Sequence, residues 1–485
     1  MDCNDFSPIY LRQNNKSISS FNLPIVGPIK ISSKNVIEGR GLVATRDIQP
    51  GECLFAIQPI VSAPVEEVKR VWLSKCKGIL NNGGLMDLSD EAMIDLTHKL
   101  EQISEIILVK RIKRILKSTN DKQAALSILS QVGDHFGTNE ASKTYQTDDI
   151  ETVAGVKSTN KEDDIGPTTI SNDEILSIIH RNAFGPDYRQ YQSIAQNWMN
   201  NPQKNPYGRT LGLFPLAAMI NHSCTPNAIR VYSCELSTTT PADATGVDDT
   251  EVMIVHATQP IKAGEEILWS YVPTTKPYHD RQRRLKDSFG FESKCHRSQV
   301  ESMLFENNSR LQANFESYLK WNERAIGIDE NPPIKDYQEL MSNFEDLISD
   351  KTIPSETSRY LRAGMVTFYT NYFNAVLSQS PDDESKAEVL NLASKMHLSL
   401  VSVDHGTTEH LSILHLCYEL AAQQSQLEGG NKNLPKFWAG QLQKAHNCRY
   451  GRLGDKVDKL RDIMVHSRGV LRNRNGFESA KYCFI

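Results

Sequence analysis

Residues 221–227 read Asn-His-Ser-Cys-Thr-Pro-Asn and follow an apolar run, GLFPLAAMI, at 212–220. Taken alone, the heptapeptide is either a buried polar turn or a place where Asn221 and His222 meet the polar edge of a ligand. A Cys/His metal half-site would want a CxxC partner, and none accompanies it. A nucleophilic cysteine beside a histidine is a further reading. Adjacent residues of a strand point to opposite faces, however, so the local spacing makes no dyad.

Two other segments carry comparable information. One is Glu38-Gly39-Arg40-Gly41-Leu42, followed by RDIQPGE at 46–52. Gly-Arg-Gly reads as a turn with positive φ, or as exposed backbone that approaches a ligand closely. The other is AGEEILWSY at 263–271, which ends a strand on Tyr271. That tyrosine is either a packed aromatic with its hydroxyl satisfied or a hydroxyl aimed into a reaction channel.

Outward from these segments the periodicity changes several times. Residues 1–30 are polar, with prolines at 8, 24 and 28, and read as an arm. Residues 31–63 read as short strands broken by Gly-Arg-Gly and Pro50-Gly51. Apolar residues at three- and four-residue spacing predict helices over most of 64–135, with Ser89 as a helix start. The stretch 137–172 is Thr-, Ser- and Asp-rich and reads as a linker or surface loop, after which helical pattern resumes over 173–184. RVYSCEL and EVMIVHATQ predict two strands, Gln282–Lys286 a helix, and 299–485 helices throughout, stacked as hairpins. The β-rich segments are therefore split, and they must reunite to form one sheet system.

Composition excludes several classes. The chain has 485 residues, 54 Lys+Arg against 59 Asp+Glu, and a net charge of −5, which argues against a generic polyanion binder. The basic cluster Val109–Arg114 reads as a solvated helix face. Nine scattered cysteines do not make a disulfide scaffold and suit a reducing interior. No stretch reaches the roughly 20 apolar residues of a membrane span. The first 20 residues lack the apolar core of a secretory signal, and Cys483 is third from the end, so no prenylation signal is expected. These features predict an intracellular protein, in cytoplasm, nucleus or both. His405, His410 and His415, spaced by five, drift around a helix and read as structural.

In this order, the three segments resemble the SET-domain family of protein lysine methyltransferases. SFGFESKCHR at 288–297 is similar to a post-SET segment. The resemblance is greatest to the SET and MYND (SMYD) group. The insert splits the domain after its first strands, Asn182-Ala183-Phe184 precedes the Asn-His-Ser-Cys segment, and VDHGTTEHLSILHLCYEL at 403–420 resembles that group's tetratricopeptide-like tail. The resemblance implies an α+β chain: a β-rich SET fold split by a helical insert, then an all-α, TPR-like C-terminal domain. Its parts are an arm (1–30), first SET part (31–63), helical insert and polar linker (64–172), second SET part (173–275), degenerate post-SET segment (276–300) and helical domain (301–485).

The function implied is methyl transfer from S-adenosylmethionine to a lysine amine of a protein or peptide substrate, histone or non-histone. Cofactor contacts carry over to Glu38, Gly39, Arg40, Asn182, Asn221, His222, Tyr271 and Phe291, with Phe291 near the adenine. Tyr271 carries over as the catalytic tyrosine. No strong nucleic-acid signal and no membrane partner are implied.

The chain departs from the group in three places. Residues 64–172 hold only Cys76, too few ligands for a MYND zinc finger. In the family's post-SET site, the cysteine of Asn-His-Ser-Cys joins three others; here Ser293 and Ser298 leave Cys224 and Cys295, which even with His296 fall short of four ligands. No structural zinc is expected. Phe289 replaces the family's post-SET tyrosine, which favours higher methylation. Loss of both zinc sites also motivates a competing reading, a SET-like scaffold with little activity. Plant-type Rubisco methyltransferase-like SET proteins share the split domain and zinc-free post-SET segment. The Asn-His-Ser-Cys-x-Pro-Asn form favours the SMYD side.

Overall fold

Met253–Ala257 is buried along its whole length, because both faces of its sheet are covered. That is why such strands read as unbroken apolar runs rather than alternating ones. The chain is described from a computed structural model, over residues 25–37, 39–80, 90–116, 172–185, Ala195, Trp198, 211–232, 252–313, 315–317, 334–379, 382–427 and 429–451. Glu38, Ser89, the 117–171 stretch and 452–485 lie outside these residues.

Eleven strands in the described residues form three small sheets. The strands are β1 (Ile25–Val26), β2 (Ile29–Ser32), β3 (Gly41–Ala44), β4 (Cys53–Ile57), β5 (Val61–Ser62), β6 (Ala183–Phe184), β7 (Gly212–Leu213), β8 (Asn221–His222), β9 (Ala228–Tyr232), β10 (Met253–Ala257) and β11 (Glu266–Trp269). Their orders are β1-β4-β10-β9, β2-β3-β11-β8 and β5-β7-β6. Each sheet mixes strands from before and after the insert, so the split halves do reunite. Pairing begins earlier than expected: residues 25–30, read as part of an arm, already supply β1 and the start of β2. The helix expected over 173–184 stops at Asn182, and Ala183–Phe184 pairs with Gly212–Leu213 instead.

The insert contributes helices α1 (Val65–Leu80) and α2 (Asp90–Leu116), with α3 (Asn172–Asn182) completing the group. Trp72, Leu96, Ile103, Ile179 and Trp198 form their core. A second core, with Leu42, Phe55, Met219, Val255 and Ile267, fills the space among the sheets. After α4 (Tyr278–Phe289) and α5 (His296–Asn307), the helical part comprises α6 (Ile334–Ile348), α7 (Ser355–Ala363), α8 (Val366–Gln379), α9 (Asp383–Val403), α10 (Thr408–Gln424) and α11 (Leu434–Tyr450). Its core extends onto the sheet through Cys53, Ala56, Val231 and Ile254. The period-2 alternation of a strand makes this possible: Met253 and Val255 face one core while Ile254 faces the other.

Buried histidines line the joint between helices and sheets. His405 precedes α10 rather than lying on it; its Nδ1 is 3.5 Å from Cys448 Sγ, and that thiol sits 3.6 Å from the Thr258 carbonyl. His410 Nδ1 accepts from the Gly406 amide, so its proton is on Nε2, 2.9 Å from His397 Nδ1. Burial pulls His397 down to about 4 and His410 well below the usual range.

A histidine depressed in the folded state lets the unfolded chain bind protons first, so stability is lost as pH falls from about 6.5 toward 4. Asp404, which burial pushes up to about 7, acts the other way and gains stability over the same descent. The histidines outnumber it. Unfolding free energy should therefore fall between about pH 7 and pH 5, with His397 alone contributing about 2 kcal/mol. Denaturant titration of His397→Gln, whose amide oxygen can still accept from His410, should show a flatter acid slope.

Candidate active site

The site grows from one short parallel contact. Strands β8 and β11 pair in register, Leu268 with Asn221 and Trp269 with His222. Two residues is too little ladder to hold a strand, and the Asn227 side chain extends it. Its Nδ2 donates to the Glu266 carbonyl at 2.8 Å, and its Oδ1 accepts from the Leu268 amide at 2.8 Å. One asparagine thus imitates a neighbouring strand's peptide group.

Asn221 then ties in the third segment. Its Nδ2 donates to Glu266 Oε1 at 2.7 Å and to the Arg40 carbonyl at 3.2 Å. Glu266 Oε2 accepts from the Ile37 amide at 2.7 Å. Burial pushes the Glu266 carboxyl up, and the bonds from Asn221 and Ile37 only partly offset it. Gly-Arg-Gly now has a local cause. Gly39 adopts φ +57°, the left-handed region. A Cβ on Gly41 would collide with Glu266 Oε1 and stand 2.9 Å from Val36 Cγ1. Asp47 binds the other end of the same seam, accepting from the Ala263 amide and Lys262 Nζ, each at 3.0 Å.

His222 connects this frame to the aromatic residues. Its Nδ1 accepts from the Tyr271 backbone amide at 3.0 Å, so Nε2 carries the proton and points at Cys224 Sγ, 3.3 Å away. The sequence reading kept a histidine and a cysteine apart on opposite strand faces. His222 and Cys224 are two residues apart, not one, and they touch. Burial pulls His222 down to about 4, so the ring is neutral through the physiological range. The Tyr271 hydroxyl donates to the Ile220 carbonyl at 2.8 Å, which fixes its direction. Around its ring stand His222, Phe289 and Phe291, with centroids at 5.3, 4.9 and 6.2 Å. Tyr271, Phe289 and Phe291 are each partly exposed.

Of the predicted site residues, the fold brings Arg40, Asn221, His222, Tyr271 and Phe291 to one seam, with Gly39 adjoining; Glu38 lies outside the described residues. Asn182 closes the last turn of α3 by donating to the Ile178 carbonyl at 3.0 Å. It joins the seam through Phe184, whose ring is 5.4 Å from that of Trp269. Sequence reading missed Glu266 and Asn227, although both lie inside the quoted segments. The available signal was Glu265-Glu266, one carboxylate exposed and one buried. Among the described residues, no three His, Cys, Asp or Glu side chains are grouped to hold a metal ion, and no helix is long and apolar enough to cross a membrane.

Residues 39–272 match the family model of the SET domain. The chain is similar to human N-lysine methyltransferase SMYD2, 37% identical over 83 residues, 17% of this chain and 16% of that protein. It is 23% identical to the histone-lysine N-methyltransferase ASHR1 of Arabidopsis thaliana over 54% of this chain and 53% of the relative. Human histone-lysine N-methyltransferase SMYD3 is 22% identical over 56% of this chain and 62% of its own length. The chain thus spans 16 to 62% of these relatives.

Glu266→Gln keeps the volume but presents one acceptor and one donor to two N–H donors. One contact becomes mispaired in a buried setting, and the expected cost is about 1–3 kcal/mol. Urea unfolding of the variant checks it.

Proposed function

We propose that this chain, whose residues 39–272 match the SET domain, is a SMYD-like enzyme that transfers a methyl group from S-adenosylmethionine to the side-chain amine of a lysine in a protein or peptide. The observation that carries the reading is the convergence of three distant segments, through Asn221 and Glu266, beneath the partly exposed Tyr271, Phe289 and Phe291. The residue chemistry fits a sulfonium cofactor. Asn221, neutral His222 and the aromatic rings beside Tyr271 are themselves uncharged, and Arg40 turns its carbonyl toward Asn221.

Gly39, Arg40, Asn182, Asn221, His222 and Phe291 would hold the cofactor, which supplies an electrophilic methyl group when bound. Tyr271, fixed by its bond to Ile220 and by His222 on its backbone, offers an oxygen to C–H contacts and to positive charge developing on the amine. Tyr271, Phe289 and Phe291 would exclude water from the lysine. The lysine must arrive neutral, from a reference pKa of about 10.4. An apolar channel beside a cation lowers that value, so no carboxylate base is needed.

With a deuteromethyl cofactor and a peptide or protein library, mass spectrometry should find labelled lysine. Tyr271→Phe should cut turnover by about 10²-fold or more while keeping cofactor binding. No labelled lysine from any substrate would favour the scaffold reading. Phe289 in place of tyrosine leaves the channel without a second hydroxyl, so the wild type should reach di- or trimethyl product and Phe289→Tyr should shift it toward monomethyl. Monomethyl product alone from the wild type would contradict this.

A further inference from the structure

Behind His222 lies a buried charge cluster that the proposed reaction does not use. Arg281, Arg297, Glu301 and Cys224 are each at most 1% exposed. The two guanidiniums share one carboxylate: Arg281 Nη2 bonds Glu301 Oε2, and Arg297 Nε bonds Oε1. A second anion is needed to neutralise the pair, since an uncompensated charge in an interior is costly. Cys224 is placed to supply it. Arg281 Nε is 3.4 Å from its sulfur, and His222 Nε2 is 3.3 Å away. A hydrogen bond from the Cys295 thiol, with the charges of Arg281 and Arg297, holds the Cys224 thiol well below its usual range despite burial. Cys295 is pushed up to about 12, so it stays a thiol. The two sulfurs are each 3.4 Å from the Ser298 hydroxyl oxygen, and Cys295 is partly exposed. A nucleophilic sulfur, a resolving thiol beside it and an approach from solvent therefore stand together.

We propose that Cys224 and Cys295 form a hydroperoxide-sensitive disulfide pair that switches the neighbouring site off. The Cys224 sulfur takes the terminal oxygen of the peroxide, the O–O bond breaks, and the departing alkoxide or hydroxide takes a proton from water, leaving hydroxide. The Cys295 sulfur then attacks the Cys224 sulfur, the S–O bond breaks, and the leaving oxygen departs with the Cys295 proton as water. Two thiols are oxidised to one disulfide and one peroxide is reduced. A small dithiol reverses the step by exchange.

The consequence follows from charge. With Cys224 neutral, two buried guanidiniums face one carboxylate, and the His222 Nε2–H loses its anionic acceptor. His222 carries the Tyr271 backbone, and Arg297 also donates to the Cys224, Thr274 and Tyr360 carbonyls at 3.2, 2.8 and 3.1 Å. Loosening therefore reaches both the cofactor seam and the helical part. This effect on cofactor rests on the function proposed above; the disulfide itself does not.

The test treats the full chain with hydrogen peroxide, then maps disulfides by non-reducing peptide mass spectrometry and titrates S-adenosylhomocysteine. The 224-containing and 295-containing peptides should be joined, affinity should fall at least about tenfold, and dithiothreitol should restore it. Cys295→Ser, whose hydroxyl can still donate to Cys224, should bind as the wild type does and give no linked peptide. Absence of the linked peptide, or a linked peptide with unchanged affinity, would overturn the switch. Failure of the untreated wild type to bind would count against the proposed function instead, while the peptide map still judged the disulfide.

Discussion

The two-residue parallel contact between Asn221–His222 and Leu268–Trp269 is the constraint on which the site depends. Such a contact has little stability of its own. Side chains complete it: Asn227 bridges Glu266 and Leu268, and Asn221 bridges Glu266 and Arg40. Each amide satisfies backbone or carboxylate groups that would otherwise be buried without partners. Through these few bonds, segments more than 180 residues apart meet at one seam, since Asn221 and Arg40 are separated by 181 positions.

Electrostatics behind the seam have the same economy. Neutral His222 accepts from Tyr271 and donates to Cys224, whose sulfur also meets Arg281 Nε at 3.4 Å. Arg297 extends the network to Thr274 and to Tyr360 on α7. Ser298 stands between the Cys224 and Cys295 sulfurs, and the Arg281 guanidinium lies against Cys224.

Much of this was legible in the sequence. The strands of 31–63, the helices of the insert and tail, and the three segments that meet around Tyr271 could all be read from periodicity and motif. What could not be read was register. Nothing in one strand's apolar pattern says that Asn221 lies opposite Leu268, so Glu266 and Asn227 looked like ordinary members of their segments. The contact of His222 with Cys224 was set aside because strand alternation was applied to neighbours rather than to residues two apart. Gly41 read as a turn glycine, yet its cause is the Glu266 carboxylate pressed against it. The early strands at 25–32 were hidden by prolines at 24 and 28, which read as an unstructured arm.

The central claim is that this seam binds a sulfonium cofactor and presents its methyl group to a lysine beside Tyr271. Isothermal titration of the reduced full-length chain with S-adenosylmethionine tests it most directly, alongside Tyr271→Phe and a variant with both Asn221→Ala and His222→Ala. The account predicts binding by the wild type, retained in Tyr271→Phe and lost in the double variant. No binding by a well-folded wild type, or binding that survives the double variant unchanged, would contradict it.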